Sequence, residues 1–178
     1  MSGGDLPALP GELGLLAILR TLVACGVDFV VIGGFAVGHH GYPRATKDVD
    51  VVPSPRPESI ERLWEALLDL AAQPHALGEF RREDLPAPFS LAGLLLGGNW
   101  DLDTKHGRLD ILQHREGALE TPEDYVRLRA SAVPESHDFG TVWIAGYEEL
   151  IDLKTLAGRD QDLIDIRALR EANDDTAP

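Results

Sequence analysis

The chain has 178 residues, 44% hydrophobic and 26% charged, proportions that exclude collagen-like, fibrous and wholly disordered chains. That length suffices for one domain with its own core and needs no covalent staples. Sixteen Lys and Arg against thirty Asp and Glu leave a formal charge of −14, which repels nucleic acid at long range but excludes neither a local basic groove nor a basic partner protein.

Residues 1–12 are rich in Gly and Pro and are expected to be a loose segment ahead of a single domain over residues 13–172. Leu15, Leu16, Leu19, Leu22 and Val23 recur at helical spacing, which predicts a helix over residues 13–25, ended by Gly26. Residues 27–32 form a short β-branched run, a buried strand, and Gly33-Gly34 punctuates it. A short helix follows over 35–40, then a second strand over 49–52, stopped by Pro53 and Pro55. An amphipathic helix is expected over 58–72, with Ile60, Leu63, Trp64, Leu67, Leu68 and Ala71 inward. Pro86 and Pro88 mark a loop, and 89–96 reads as helix or strand. Asp101 and Asp103 read as a polar turn, and 108–113 alternates like a third strand. Thr121-Pro122-Glu123-Asp124 is a helix start; a strand over 142–145 and helices over 147–157 and 160–172 complete the chain, with 173–178 a frayed tail. Strands and helices at irregular intervals argue for an α+β fold.

Several functions lose support at once. Cys25 is the single cysteine, so neither an intramolecular disulfide nor a CxxC zinc knuckle can form. The six histidines are scattered apart from His39-His40, and no HExxH, GxSxG, Walker lysine loop or GxGxxG is present. The most apolar stretch, residues 13–38, is broken by Arg20 and Asp28 and so falls short of the roughly 20 uninterrupted apolar residues of a membrane span. The opening MSGGDLPALPGELG lacks the basic start of a secretory signal, so the expectation is a cytoplasmic protein with no membrane attachment.

The chemistry concentrates in VIGGFAVGHHGYPRATKDVDVV. Asp48 and Asp50 lie two apart on a strand and so share a face, while Val49 and Val51 face the core. Side by side the two carboxylates repel, unless exposed or neutralised by a divalent cation; magnesium takes such oxygens together with substrate phosphates. Gly33-Gly34 after a strand lets backbone N–H groups approach a phosphate, and Arg44 and Lys47 carry charge to hold it. Each part is common alone; their order, with thirteen residues between Gly34 and Asp48, is what carries information.

This segment resembles the active-site motif of the nucleotidyltransferase fold, the DNA polymerase β superfamily: a glycine pair, a helix, then DxD on the next strand. More narrowly, GGFAVGHHGYPRATKDVD is similar to small bacterial nucleotidyltransferases related to the AbiEii-like and MenT-like toxins of toxin–antitoxin pairs. Where the superfamily usually has Ser after the first motif glycine, this chain has Gly34, which removes one hydroxyl from the phosphate cradle. The resemblance implies a mixed central sheet flanked by helices, with C-terminal helices from about residue 147.

It also implies a third carboxylate on a later strand. Asp110 in HGRLDIL is the candidate, facing away from Leu109 and Ile111, with Asp101 and Asp103 the alternatives; strand alternation alone would also produce such a residue. YEELIDLKTLAGRDQDLIDIRAL is similar to the subgroup's late motif, so Lys154 is expected to reach the nucleotide phosphates and Asp162 to help assemble the site, alongside His40 and Thr46. A plain reading of that segment puts Ile151 and Leu156 inward and Lys154 outward on a solvated face.

The implied function is transfer of a nucleoside monophosphate from a nucleoside triphosphate to an acceptor hydroxyl. Asp48, Asp50 and Asp110 would hold Mg2+ (or Mn2+), and Gly33, Gly34, Arg44, Lys47 and Lys154 would hold the phosphates. An RNA 3′ end, tRNA first, is the expected acceptor, and a cognate antitoxin the expected protein partner. A protein hydroxyl is the rival acceptor. The rival class is a nucleotide- or partner-binding module that has lost turnover, which the −14 charge favours and an intact acid set opposes.

Overall fold

A computed structural model describes residues 10–75 and 88–174. The N-terminal residues 1–9, the last four residues, and the 76–87 segment with Arg81, Arg82 and Pro86 lie outside the described residues. The elements run α1 (Pro10–Ala24), β1 (Phe29–Ile32), α2 (Gly33–His39), β2 (Asp48–Pro53), α3 (Pro57–Asp69), β3 (Gln73–Pro74), α4 (Leu91–Leu95), β4 (Asn99–Thr104), β5 (Gly107–Leu112), α5 (Pro122–Ser131), β6 (Val133–His137), β7 (Gly140–Ile144), α6 (Tyr147–Ala157) and α7 (Asp160–Asp174).

Among the described residues seven strands form one mixed sheet in the order β3-β4-β5-β2-β1-β7-β6. β2 pairs antiparallel with β1 and parallel with β5, and β1 pairs parallel with β7. β4–β5 and β6–β7 are antiparallel hairpins that extend the two sides. The period of two settles the faces: Val49, Val51, Leu109 and Ile111 are buried on one side, with Trp100 and Leu102 of β4. Trp100 packs against Phe89, which packs against Trp64 of α3, so α3 covers this side and Ile60, Leu63 and Leu67 fill the core beneath it. The helices α6 and α7 lie over the opposite face, where the polar residues of β2 and β5 emerge.

Helix starts follow local chemistry. Ser90 caps α4 by accepting from the Gly93 N–H at 3.1 Å, which decides the ambiguous 89–96 run in favour of helix. Thr121 and Asp124 form a capping box at α5, with Pro122 in the first turn.

Four expectations need correction. Asp101 and Asp103 sit on strand β4, not in a turn; Asp is rare in strands, but Trp100 and Leu102 alternate with the acids and bury while β5 supplies the ladder. Strands β3 and β6 were not expected, because β3 is two residues long and β6 is polar and carries Pro134, as an edge strand does. Leu68 is 61% exposed and Ala71 falls beyond the end of α3, so neither belongs to its inner face. Lys154 is not on a solvated face: it is buried, whereas Leu156 is exposed.

Candidate active site

The sheet register gathers the acids. Ile32 faces Asp50 across β1–β2, Asp50 faces Asp110 across β2–β5, and Asp110 faces Asp101 across β5–β4. Two residues along each strand, on the same face, Asp48, Arg108 and Asp103 make a second row. Directly opposed residues share a face, so Asp48, Asp50, Asp101, Asp103 and Asp110 all point away from the aliphatic core. The third carboxylate expected from the sequence therefore lies beside the DxD pair, and Asp101 lies on its other side.

The glycine pair is shaped around this row. Gly33 has φ +65, and a Cβ there would stand 1.9 Å from Asp50 Oδ2, so only glycine fits. The Gly34 N–H favours the charged form of the Asp50 carboxylate. A Cβ on Gly34 would meet Thr46 Oγ1 at 2.8 Å and Arg44 Nη2 at 3.2 Å, so Arg44 and Thr46 stand over the turn. Thr46 Oγ1 donates to Asp48, lying 3.1 Å from both its backbone oxygen and its Oδ1.

Crowding raises the proton affinity of the central acids. Burial first, then the charge of Asp48, pushes the Asp50 carboxyl up to about 6, against the pull of Arg159, Lys154 and the Gly34 N–H. Burial, then the charges of Asp50 and Asp101, pushes Asp110 up to about 7. Asp110 Oδ1 and Asp101 Oδ1 are buried with no hydrogen-bond partner.

The late motif behaves in the opposite way. Lys154 Nζ donates to Asp162 Oδ1 at 3.1 Å and Asp165 Oδ2 at 2.6 Å. Arg44 grips Asp165 with Nε at 2.9 Å and Nη2 at 3.0 Å, and Arg159 Nε reaches Asp162 at 2.8 Å. Burial pushes both carboxyls up, but the hydrogen bonds from these cations outweigh it and hold them below the usual range. This network ties the loop before β2 to α6 and α7. His40 lies nearby, its Nε2 2.7 Å from the Ala145 carbonyl oxygen, and so braces the end of α2 against the β7–α6 junction.

A cleft of about 260 Å³ opens between the acid face and the helices. Gly33, Asp50, Asp101 and Asp110 line one side, and Leu150, Leu153, Lys154, Arg159 and Asp162 the other. Asp48, Arg44 and Lys47 do not line it; Lys47 is exposed. Three members that the sequence analysis did not single out are Arg159, Asp165 and Arg115. Arg159 and Asp165 stand within the quoted late motif, whose charges alternate with Leu and Ile as on any amphipathic helix, so composition alone could not rank them. Arg115 lines the cleft with a buried Nε that has no partner, and no motif surrounds it.

The donor set suits a hard divalent cation. Its free atoms are carboxylate oxygens, two of them buried and unpartnered. Among the described residues no three His, Cys, Asp or Glu side chains converge into a finished metal cage. That is compatible with magnesium, which takes one or two carboxylates and completes its shell with waters and substrate phosphates. Among the described residues no helix is long and apolar enough to cross a membrane.

No protein-family model matches the sequence, and no curated protein matches it. Solved structures do. The lincosamide antibiotic adenylyltransferase LnuA, lincomycin-bound, is similar with a TM-score of 0.58 and 15% identity, over 90% of this chain and 97% of that one. An antigenic nucleotidyltransferase-like protein from Paracoccidioides brasiliensis gives 0.53 and 16%, over 90% and 74%. ANT(2″)-Ia in complex with adenylyl-2″-tobramycin gives 0.52 and 14%, over 88% and 87%. At such identities the likeness is one of fold: the chain has the nucleotidyltransferase fold, mixed sheet and C-terminal helices included, while the narrower likeness to AbiEii-like and MenT-like toxins finds no counterpart in these matches.

Proposed function

We propose that this protein is a divalent-metal-dependent nucleotidyltransferase that moves a nucleoside monophosphate from a nucleoside triphosphate to an acceptor hydroxyl. The observation that carries this is the alignment of Asp50 and Asp110 on adjacent strands, under a glycine turn that leaves no room for a side chain, at the wall of a cleft. A binding module without turnover has no use for strained, unneutralised carboxylates at that point.

Asp48, Asp50 and Asp110 would hold magnesium or manganese, which when bound neutralises the triphosphate and acidifies the acceptor hydroxyl. The chain's own groups do the rest. Gly33 and Gly34 let the phosphates approach the backbone, and Arg159 at the cleft mouth holds their charge. Lys154, fixed by two acids, orients the cleft wall and keeps positive charge beside Asp50. Asp110 accepts the proton of the acceptor hydroxyl as its oxygen bonds to the α-phosphorus; the α–β bridging bond breaks and pyrophosphate leaves.

For the acceptor, the charges favour a compact hydroxyl compound over RNA. An RNA groove beside Asp48 and Asp50 would draw on Arg44, Lys47, Arg81, Arg82, Lys105, Arg108 and Lys154; of these Arg44, Arg108 and Lys154 are each tied to carboxylates, Lys47 and Lys105 are exposed, and Arg81 and Arg82 lie outside the described residues. The structures of LnuA and ANT(2″)-Ia hold compact molecules of that kind, lincomycin in the first and adenylyl-2″-tobramycin in the second. A toxin role with a cognate antitoxin rests on the sequence resemblance alone.

The test is label transfer. The protein is incubated with Mg2+ and each α-labelled triphosphate, in separate reactions with tRNA, with protein, and with polyhydroxylated small molecules, and pyrophosphate release is followed. Label on a small molecule that disappears in Asp50→Asn supports the full reading. Label on tRNA keeps the chemistry and overturns the compact acceptor. Triphosphate binding without pyrophosphate release under any condition returns the protein to the non-catalytic class.

A further inference from the structure

Arg108 occupies an odd place for a guanidinium. It stands on β5 between Asp48 of β2 and Asp103 of β4, on the face that carries Asp48, Asp50, Asp101, Asp103 and Asp110. Among the described residues of β2, β4 and β5 it is the only cation on that face. Its Nη2 donates to Asp101 Oδ2 at 2.6 Å, while its Nε is buried with no partner. Its charge also acts on Asp110 and Asp48. The phosphate-facing cations, Lys154 and Arg159, are held from the other side by Asp162 and do not hydrogen-bond to this row.

We propose that Arg108 is a built-in counter-ion for the acid row, which stabilises the metal-free protein and makes divalent-metal entry conditional on the triphosphate. This rests on the metal-dependent reading above. An arginine cannot be deprotonated in this range, so its charge is permanent. A divalent ion arriving at Asp50 and Asp110 alone meets that charge from the neighbouring position on the same sheet face and is opposed by it. A triphosphate adds negative charge that outweighs Arg108, so metal and nucleotide bind together more tightly than either alone. By linkage the effect is mutual: the metal also raises affinity for the triphosphate. The arrangement keeps free metal from occupying the site and leaves Asp101, the partner of Arg108, as the residue that holds the guanidinium to one side.

The experiment reads Mn2+ binding by electron paramagnetic resonance and thermal unfolding, with and without a non-hydrolysable triphosphate. Wild type is expected to bind Mn2+ weakly alone and far more tightly with the triphosphate. Arg108→Gln is expected to tighten Mn2+ binding in the absence of nucleotide by about tenfold or more, the scale of removing a unit charge nearby. It should also lower the metal-free unfolding temperature, with Mn2+ recovering it. Arg108→Lys keeps the charge and should bind as wild type does. If Arg108→Gln folds only when Mn2+ is present, that is the same result in a stronger form. If it binds Mn2+ no more tightly than wild type, if Mn2+ does not recover its folding, or if Arg108→Lys tightens binding equally, the proposal is overturned. Failure of the metal reading looks different: wild type would bind no Mn2+ even with triphosphate, or Asp50→Asn would bind it unchanged.

Discussion

Two groups of aspartates face each other across the cleft, and they live in opposite electrostatic states. On the sheet, Asp50 and Asp110 are crowded by other acids and hold their protons up to about 6 and 7. On α7, Asp162 and Asp165 are at least as buried, yet Lys154, Arg44 and Arg159 keep them ionised. Burial raises all four carboxyls, and cationic partners decide whether that rise survives: on the sheet neighbouring acids add to it, whereas on α7 hydrogen bonds from Lys154, Arg44 and Arg159 outweigh it. Acids left short of positive charge are poised to receive it from a ligand, whereas acids that have it already hold the helices in place.

The sharpest break of that contrast is Asp50→Asn. Turnover should fall by about 10³-fold or more, the loss typical of removing preorganised charge at a reacting centre. The metal-free protein should unfold at the same temperature as wild type or higher, since a repulsion is removed. Full turnover in this variant would mean that the sheet acids are not the reacting centre.

Asp165→Ala should do the reverse. It leaves Arg44 without its carboxylate and Lys154 with Asp162 alone, and breaking a buried pair in this way costs about 3–5 kcal/mol. Denaturant midpoints measure it. Lys154→Met should destabilise by a similar route, leaving Asp162 and Asp165 with one cation fewer; from the sequence its loss is expected to weaken triphosphate use with little effect on stability. A midpoint unchanged in both variants would show that the network does not hold the helices.

Arg159→Ala separates binding from folding. Its side chain is 75% exposed, so stability should stay within about 0.5 kcal/mol. The KM for triphosphate should rise, about tenfold, with a smaller change in kcat. An unchanged KM would remove Arg159 from the phosphate site.

The smallest effect is a slope in pH. Asp50 and Asp110 titrate near 6 and 7 in the folded chain and near 4 unfolded. Between those values the folded state binds more protons, so its stability is greatest below about pH 4 as far as these two groups are concerned and is lost as pH rises towards 7. Urea midpoints of wild type should therefore fall across that window more than those of the Asp50→Asn, Asp110→Asn double variant. Parallel curves would show that the row is not crowded in solution.

Much of this is legible in the sequence. The period of two in DVDVV and GRLDIL places Asp48, Asp50 and Asp110 away from the valines and leucines, and the structure agrees. Gly33-Gly34 after a β-branched strand announces a close approach, and the approach is to Asp50 itself. Asp101 reads as part of a turn from its sequence, because NWDLDT gains its strand character from pairing with β5 and not from its own residues. Asp165 carries no such signal, because a charge on an amphipathic helix looks the same in sequence whether it meets water or Arg44.

The sequence by itself determined which residues could carry the chemistry, since side-chain type and strand alternation are local properties that survive without a fold. The tertiary structure alone decided their electrostatic fates. Whether an aspartate is starved of charge or supplied with it depends on neighbours distant in the chain: Asp110 beside Asp50 across the parallel ladder, and Arg44 reaching Asp165 over 121 positions. Coulomb energy falls with distance in space and takes no account of distance along the chain.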